Sequence, residues 1–375
     1  MSKIQSHPTP SRRGLLKLLA AAGITAAAGY VLFEYAPWLD YDEQANQIRR
    51  PFGKDATMSA RMREIVRYAT LAANSHNTQP WKFALKEDAI EIHPDYTRRL
   101  PGVDPHDREL WISLGCALEN LLIAARAAGY EPEVSYPDAA DFIHIRLIAD
   151  TPKDSPLFDV IPLRQNTRLE YDGQIIKRDD LDQVRVLPLE PSVVVHFVLN
   201  PAGLKTVLEY VNQGNLNQYA NKAFVEELIH WLRFNKKEAL SSLDGLYSRC
   251  SGNPEVPRWL GQVFVAGAKP QQQAEADARK LRSSAGAVVI ASESDDKTDW
   301  VRTGQVYQRM ALKMTSLNIK SAFLNQPIEV ADVRGQFQST VGLGNALPQL
   351  LVRFGYAAPM PRSLRRPVDQ VLVQS

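Results

Sequence analysis

Cysteine is almost missing from this sequence. Cys116 and Cys250 are the only two in 375 residues, which excludes a disulfide scaffold and a cysteine metal site. Both read as small buried residues, with one bridge between them as the alternative in an oxidising compartment. The seven histidines are scattered without the paired spacing that a metal requires. An excess of one charge is missing too: a net charge of +2 excludes the basic footprint of a nucleic-acid partner. Familiar catalytic signatures are absent. No G-x-S-x-G elbow occurs, and Ser75 and His76 are adjacent, which is poor triad geometry. Gly342-Leu343-Gly344 lacks the third glycine and the preceding strand of a dinucleotide fold. What remains is a composition 45% hydrophobic and 23% charged, ordinary for a globular chain of one large domain or two modest ones.

The N-terminus reads as a targeting segment. Ser11-Arg12-Arg13-Gly14-Leu15-Leu16-Lys17 precedes an apolar, alanine-rich run over 18–33. A twin arginine before such a run resembles the Tat export signal of bacteria. The run is short for a full membrane span of about 20 residues. Residues 1–33 are therefore expected to direct export to the periplasm through the Tat machinery. Ala26-Ala27-Ala28 offers a small-residue cleavage site, whereas Tyr30-Val31-Leu32-Phe33 prolongs the run. An uncleaved anchor in the inner membrane is the alternative. Tat carries folded proteins, which suits a chain that captures a cofactor before export.

Residues 34–57 read as a polar connector broken by Pro37 and Pro51. Helical spacing predicts helices over 59–73, 109–128, 202–213, 224–234 and 301–317. Strand-like runs cover 81–85, 89–93, 133–136, 142–148, 193–199, 286–291, 321–324 and 350–354. The chain divides into a first part, 58–150, and a second, 157–375, with a helical insertion over about 200–265. Each part offers helices, a short sheet and one long central helix, as in a divergent duplication. The class is α+β, a mixed sheet flanked by helices.

Four segments carry the chemistry. Ala73 to Phe83 packs small, amide-bearing and flat side chains into one turn, fit to line a planar ligand with polar edges, and it points to a flavin. Arg164-Gln165-Asn166-Thr167-Arg168 sets two guanidiniums around one amide, and arginine forks suit phosphate. A solvated basic loop is the competing reading for these five residues alone. In Asn325-Gln326-Pro327-Ile328-Glu329, the proline fixes the backbone so that following amides can face a ligand. Arg362-Ser363-Leu364-Arg365-Arg366-Pro367 is a basic cluster that suits either a charged tail or phosphate.

Together these pieces resemble the nitroreductase family of FMN proteins. Ser75-x-Asn77-x-Gln79-Pro80-Trp81 looks like that family's S-x-x-N-x-Q-P-W turn, one residue shorter. Arg164-x-Asn166-x-Arg168 is similar to its R-x-S-x-R/K clamp on phosphate and ribityl, with Asn166 for serine. Pro327-Ile328-Glu329 resembles the P-x-E/G segment whose backbone amide meets the flavin N5, followed here by Val330 for glycine. Asp277-Ala278-Arg279-Lys280 looks like N-x-x-K, whose lysine lies near the pyrimidine edge. Arg362, Arg365 and Arg366 resemble the terminal basic residues that close on the phosphate. The order of these pieces extends over 59–373.

The resemblance implies a nitroreductase-like fold and bound FMN. In the family the clamp precedes the turn in one short chain, and two chains form an intertwined dimer. Here the turn comes first and the clamp second, which resembles the internally duplicated Acg-like branch: two degenerate halves fused as a pseudo-dimer, a monomer holding one FMN. FMN carries the redox step, so no protein nucleophile or acid–base pair is expected. A cation, Lys280 or Arg168, is expected near the reduced flavin's negative edge, and an amide of Glu329 or Val330 at N5. The implied activity is two-electron reduction of a small acceptor. The alternative is a non-catalytic protein that sequesters FMN, its insertion serving as a lid.

Overall fold

The computed structural model describes residues 39–53, 57–136 and 141–373. The export-signal reading over 1–33 lies outside them. In chain order the helices begin with α1 (Tyr41–Gln47), α2 (Met58–Ala69) and α3 (Arg108–Ala127). They continue with α4 (Pro156–Val160), α5 (Arg178–Arg185), α6 (Pro201–Ala220), α7 (Lys222–Trp231), α8 (Lys236–Ser242), α9 (Arg258–Ala266) and α10 (Pro270–Arg282). The last are α11 (Lys297–Ser316), α12 (Gln326–Glu329), α13 (Ala331–Thr340) and α14 (Val368–Val371). The strands are β1 (Trp81–Leu85), β2 (Ala89–Pro94), β3 (Tyr130–Ser135), β4 (Ile143–Ala149), β5 (Val193–Val198), β6 (Leu232–Arg233), β7 (Leu246–Tyr247), β8 (Gly286–Ser292), β9 (Lys320–Phe323) and β10 (Leu347–Gly355).

The α+β class is present. The expected mixed sheet is instead two four-stranded sheets, ordered β1-β2-β4-β3 and β5-β8-β10-β9, with every internal pairing antiparallel. Among the described residues, parallel pairing is confined to the short β6–β7 ribbon and two single bridges, Phe83–Leu372 and Asn166–Ser321. Both sheets therefore run first, second, fourth, third in strand order. In both, the long helix lies between the second and third strands, α3 in one half and α11 in the other.

These two helices cross at glycines. A Cβ on Gly115 would lie 2.0 Å from the Val301 carbonyl oxygen, and one on Gly304 would lie 2.1 Å from that of Ile112. Each glycine faces the residue three before the other. Their backbones touch, and the main core, from Met62 and Ile65 to Leu350 and Phe354, closes around the crossing.

The continuous apolar run of β8 has a plain cause. Val288 and Ile290 face this main core, while Ala287 and Val289 face a second core with Val207 and Val211 of α6 and Phe337 of α13. A strand covered on both faces loses polar alternation. The insertion between β5 and β8 runs from α6 to α10, reaching residue 282 rather than 265. The connector read over 34–57 contains α1, capped by Asp40, whose Oδ1 accepts from the Glu43 N–H at 2.9 Å.

Candidate functional site

The turn after α2 is unusual backbone. His76, Asn77 and Gln79 all have positive φ, at 46°, 55° and 53°. Left-handed non-glycine residues cost about 1–3 kcal/mol each and persist where the surroundings over-determine them. The surroundings here do so. The Gln79 N–H donates to Asn74 Oδ1 at 2.9 Å. Asn77 Nδ2 donates to the carbonyls of Gly245 and Leu364, and its Oδ1 accepts from Arg365 Nη1 at 2.6 Å. Gln79 donates to the Leu243 carbonyl and accepts from the Arg366 N–H. The amides thus fasten the turn to the insertion and to the C-terminal segment.

This turn lines a cavity of about 210 Å³. Ser75 and His76 of the turn, Glu109 and Cys116 of α3, and Asn325, Gln326 and Glu329 line it. Asn215, Gln218 and Tyr219 of α6 close it. A smaller basic recess adjoins, lined by Asn77, Arg164, Asn166, Arg168, Tyr247 and Arg365. Ala73, Asn74, Arg168 and Leu246 border both spaces. A larger chamber of about 640 Å³, walled by the insertion, opens beside them past Arg168, Tyr219 and Leu246.

The 164–168 segment is laid into the recess by pairing. Asn166 bridges Ser321 and the Thr167 N–H donates to the Ser321 carbonyl at 2.9 Å. Arg164 is buried, with one long hydrogen bond to the Leu71 carbonyl (3.3 Å) and another to Asn166 (3.5 Å), and its Nε is unpartnered. Burial holds the guanidiniums of Arg164 and Arg168 below the usual arginine range. Arg365 is pushed well below it by burial and then by Arg49 and Arg164; Arg49 falls to about 10 by burial and then by Arg362. Among the described residues, none of Arg49, Arg164, Arg168, Arg362 and Arg365 is ion-paired with a carboxylate, although Arg49 and Arg365 hydrogen-bond backbone carbonyls. Buried cations without counter-ions are strongly unfavourable. An anionic group in the recess would relieve them.

The structure brings Ser75, Asn77, Arg164, Asn166, Arg168, Glu329 and Arg365 to these linked spaces. Others do not reach them. Gln79 is fully buried and spent on its two neighbours. Arg366 donates to the Gln79 carbonyl at 2.5 Å, and Arg362 borders neither space. Lys280 lines the outer chamber and donates to Asp277 at 2.9 Å. Asp277 sits behind the wall, accepting from Asn215, Gln273 and Gln326. Pro327 and Ile328 are buried. The amides expected at a ligand are occupied: the Glu329 N–H donates to the Asn325 carbonyl and the Val330 N–H to that of Gln326. The reason is local, because Pro327 starts a helical turn here rather than an open strand end. Glu329 enters the cavity by its carboxyl instead. Arg49, Glu109, Asn215, Gln218 and Tyr219 escaped the reading of the sequence; a lone acid or amide inside a helical pattern carries no local signal.

Two matched half-folds, crossed at their long helices, stand beside an arginine-rich cavity. No family model matches the chain. It is 25% identical over 323 residues to "Putative NAD(P)H nitroreductase Rv3131" of Mycobacterium tuberculosis, an alignment covering 83% of this chain and 90% of that protein. It is 23% identical over 327 residues to "Putative NAD(P)H nitroreductase acg" of the same organism, covering 83% and 94%. Similar solved structures include a nitroreductase with bound FMN from Bacteroides fragilis, 17% identical, covering 55% of this chain and 90% of that one with a TM-score of 0.33. The likeness to the mycobacterial proteins runs through both halves and supports the nitroreductase family.

Proposed function

We propose that the protein is an FMN-dependent oxidoreductase of nitroreductase type that reduces a small acceptor by two electrons. The observation that carries this reading is the set of buried arginines without carboxylate partners beside a cavity walled by amides. The unpartnered Arg164 Nε, Asn215 Oδ1 and Gln326 Oε1 fit a ligand with a phosphate at one end and a hydrogen-bonding ring at the other. Arg164, Arg168 and Arg365 would hold the phosphate end with Asn77 and Asn166. Asn215 and Gln326 both donate to Asp277, which leaves their carbonyl oxygens free to accept from a ligand's ring N–H. FMN, when bound, supplies the hydride chemistry. The relatives' names, NAD(P)H nitroreductases, agree with this class.

Further parts of the proposal follow from sequence and topology. The equal strand orders and reciprocal glycine crossing support a fused pseudo-dimer, a monomer with one FMN. The twin-arginine segment supports Tat export, with a periplasmic or membrane-anchored location. Export separates the protein from the cytoplasmic NAD(P)H pool, so the donor is a separate question. One observation favours a second reading, FMN sequestration: Tyr219, Phe224, Leu228 and Leu246 of the insertion wall the cavity. Purified protein, reduced anaerobically with NADPH or dithionite and then mixed with a nitroaromatic or a quinone, decides between them. Rapid reoxidation supports the enzyme. A yellow protein that no acceptor reoxidises supports sequestration, and failure to bind FMN sinks both.

A further inference from the structure

Glu109 and Glu329 meet in the cavity wall. The Glu109 carboxyl accepts from Ser75 Oγ at 2.7 Å and from Asn325 Nδ2 at 3.0 Å, with Arg108 Nη2 at 3.3 Å. Glu329 accepts from Gln218 Nε2 at 2.5 Å, and Asn325 links the two acids, donating to Glu109 and accepting from the Glu329 N–H at 2.9 Å. Both carboxyls line one cavity, and like charges so placed disfavour ionising the two together. Burial first, and the charge of Glu109 second, push Glu329 well above the ordinary carboxyl range.

The charged groups around it come from four segments. Arg108 lies on α3, Asp104 in the loop before it, His76 in the turn, and Arg168 in the recess. Burial, then Glu109, pushes Asp104 up to about 7. Burial pulls His76 down to about 4, leaving it neutral near pH 7. A separate observation points to a ligand here. Asn215 is 1% exposed, lines the same cavity, and its Oδ1 has no partner.

We propose that the Glu109–Glu329 pair is a proton store facing the ligand cavity, which donates a proton to the acceptor reduced there. The inference rests on the proposed function. An acceptor gaining a hydride in this enclosed space becomes anionic and needs a proton. The carboxyl O–H bond breaks, the proton passes to the acceptor's oxyanion, and the bonding electrons stay on the carboxylate. The ionised pair is then held by Ser75, Asn325, Arg108 and Gln218 until water returns a proton. The electrons are the cofactor's; the pair supplies only the proton.

The first test uses apoprotein, so it does not depend on FMN. Infrared difference spectra between about pH 5 and about pH 9 should show a protonated-carboxyl C=O band that survives at neutral pH. That band should be lost in Glu329→Gln. In Glu109→Gln it should titrate at lower pH, because the charge that raises Glu329 is gone. The second test follows reoxidation of dithionite-reduced holoprotein by a benzoquinone. The wild-type rate should fall as pH rises through the raised titration of Glu329. Glu329→Gln should be slower by about 10²-fold near pH 7 and lose that pH dependence. A merely structural pair would change stability and leave the profile alone. A protein that binds FMN but lacks the neutral-pH band overturns the proton store and spares the function. An unchanged rate and profile in both variants overturns it too. A wild-type protein that binds no FMN sinks the function, and the donor role with it.

Discussion

Arg164 carries a positive charge into the interior that no carboxylate answers. Its long bonds to Leu71 and Asn166 leave Nε without a partner. Arg164→Ala should lose a charge-assisted contact of about 1.5–3 kcal/mol, lowering FMN affinity about tenfold or more. Titration of apoprotein with FMN measures this. The apoprotein's own melting temperature should hold or rise, because a buried unpaired cation has gone. Unchanged FMN affinity would remove Arg164 from the site. Glu64 shows the opposite economy. Burial opposes its ionisation, but hydrogen bonds from Arg67, Arg50 and the Gly53 N–H outweigh it and bring the carboxyl down to about 2 from 4.5. A lowered acid stabilises the fold above its unfolded value and loses that contribution as pH falls through the folded one. Wild type should therefore lose stability between about pH 4.5 and about pH 2, relative to Glu64→Gln. Parallel acid-unfolding curves would contradict this. At this scale the sequence exposed residues whose type is informative alone, such as the paired arginines and the Asn77 amide. It hid Glu109 and Asn215, because their roles come from what stands opposite them in space.

At the scale of elements, the crossing of α3 and α11 is the feature most sensitive to a single atom. Gly115 and Gly304 let two backbones touch, and a methyl on either meets a carbonyl oxygen near 2 Å. Neither helix can slide without disturbing Trp111, Met310 and the core around them. Overpacking of this kind costs about 1–3 kcal/mol and occasionally more. Gly115→Ala should lower the melting temperature by several degrees, although alanine is the better helix former. Gly304→Ala should do the same, and the double variant should fall short of the sum, because both methyls open one contact. Full additivity in thermal unfolding would show that the glycines act apart. Both long helices and most strands were legible, since their patterns repeat over many residues. Sheet pairing was not. Hydrophobic runs such as β8 report burial on two faces and leave strand direction open. The far end of the insertion was missed because α10, over Pro270–Arg282, is mostly polar outside Ala274, Ala278 and Leu281.

Across the whole molecule, like topology does not bring like chemistry. Both halves share strand order and a central helix, and a symmetric assembly of two such units would carry two equivalent sites. Here the site draws on both: the turn and Glu109 come from the first half, and the 164–168 segment, α12 and the C-terminal Arg365 come after it. Arg164, Arg168 and Arg365 line one recess, Arg164 and Arg365 are buried, and Arg49 and Arg164 act on Arg365 electrostatically, so these cations form one cluster. One cluster of uncompensated charge has room for one phosphate. Saturating the apoprotein with FMN should therefore give one flavin per chain, measured by flavin absorbance against protein concentration. Light scattering should give a mass near the chain's own 42.0 kDa once the N-terminal segment is accounted for. Two flavins per chain would mean that the first half keeps a site of its own. One flavin per two chains would mean that the cavity is completed by a partner, and the fused pseudo-dimer would fail as an account of this protein.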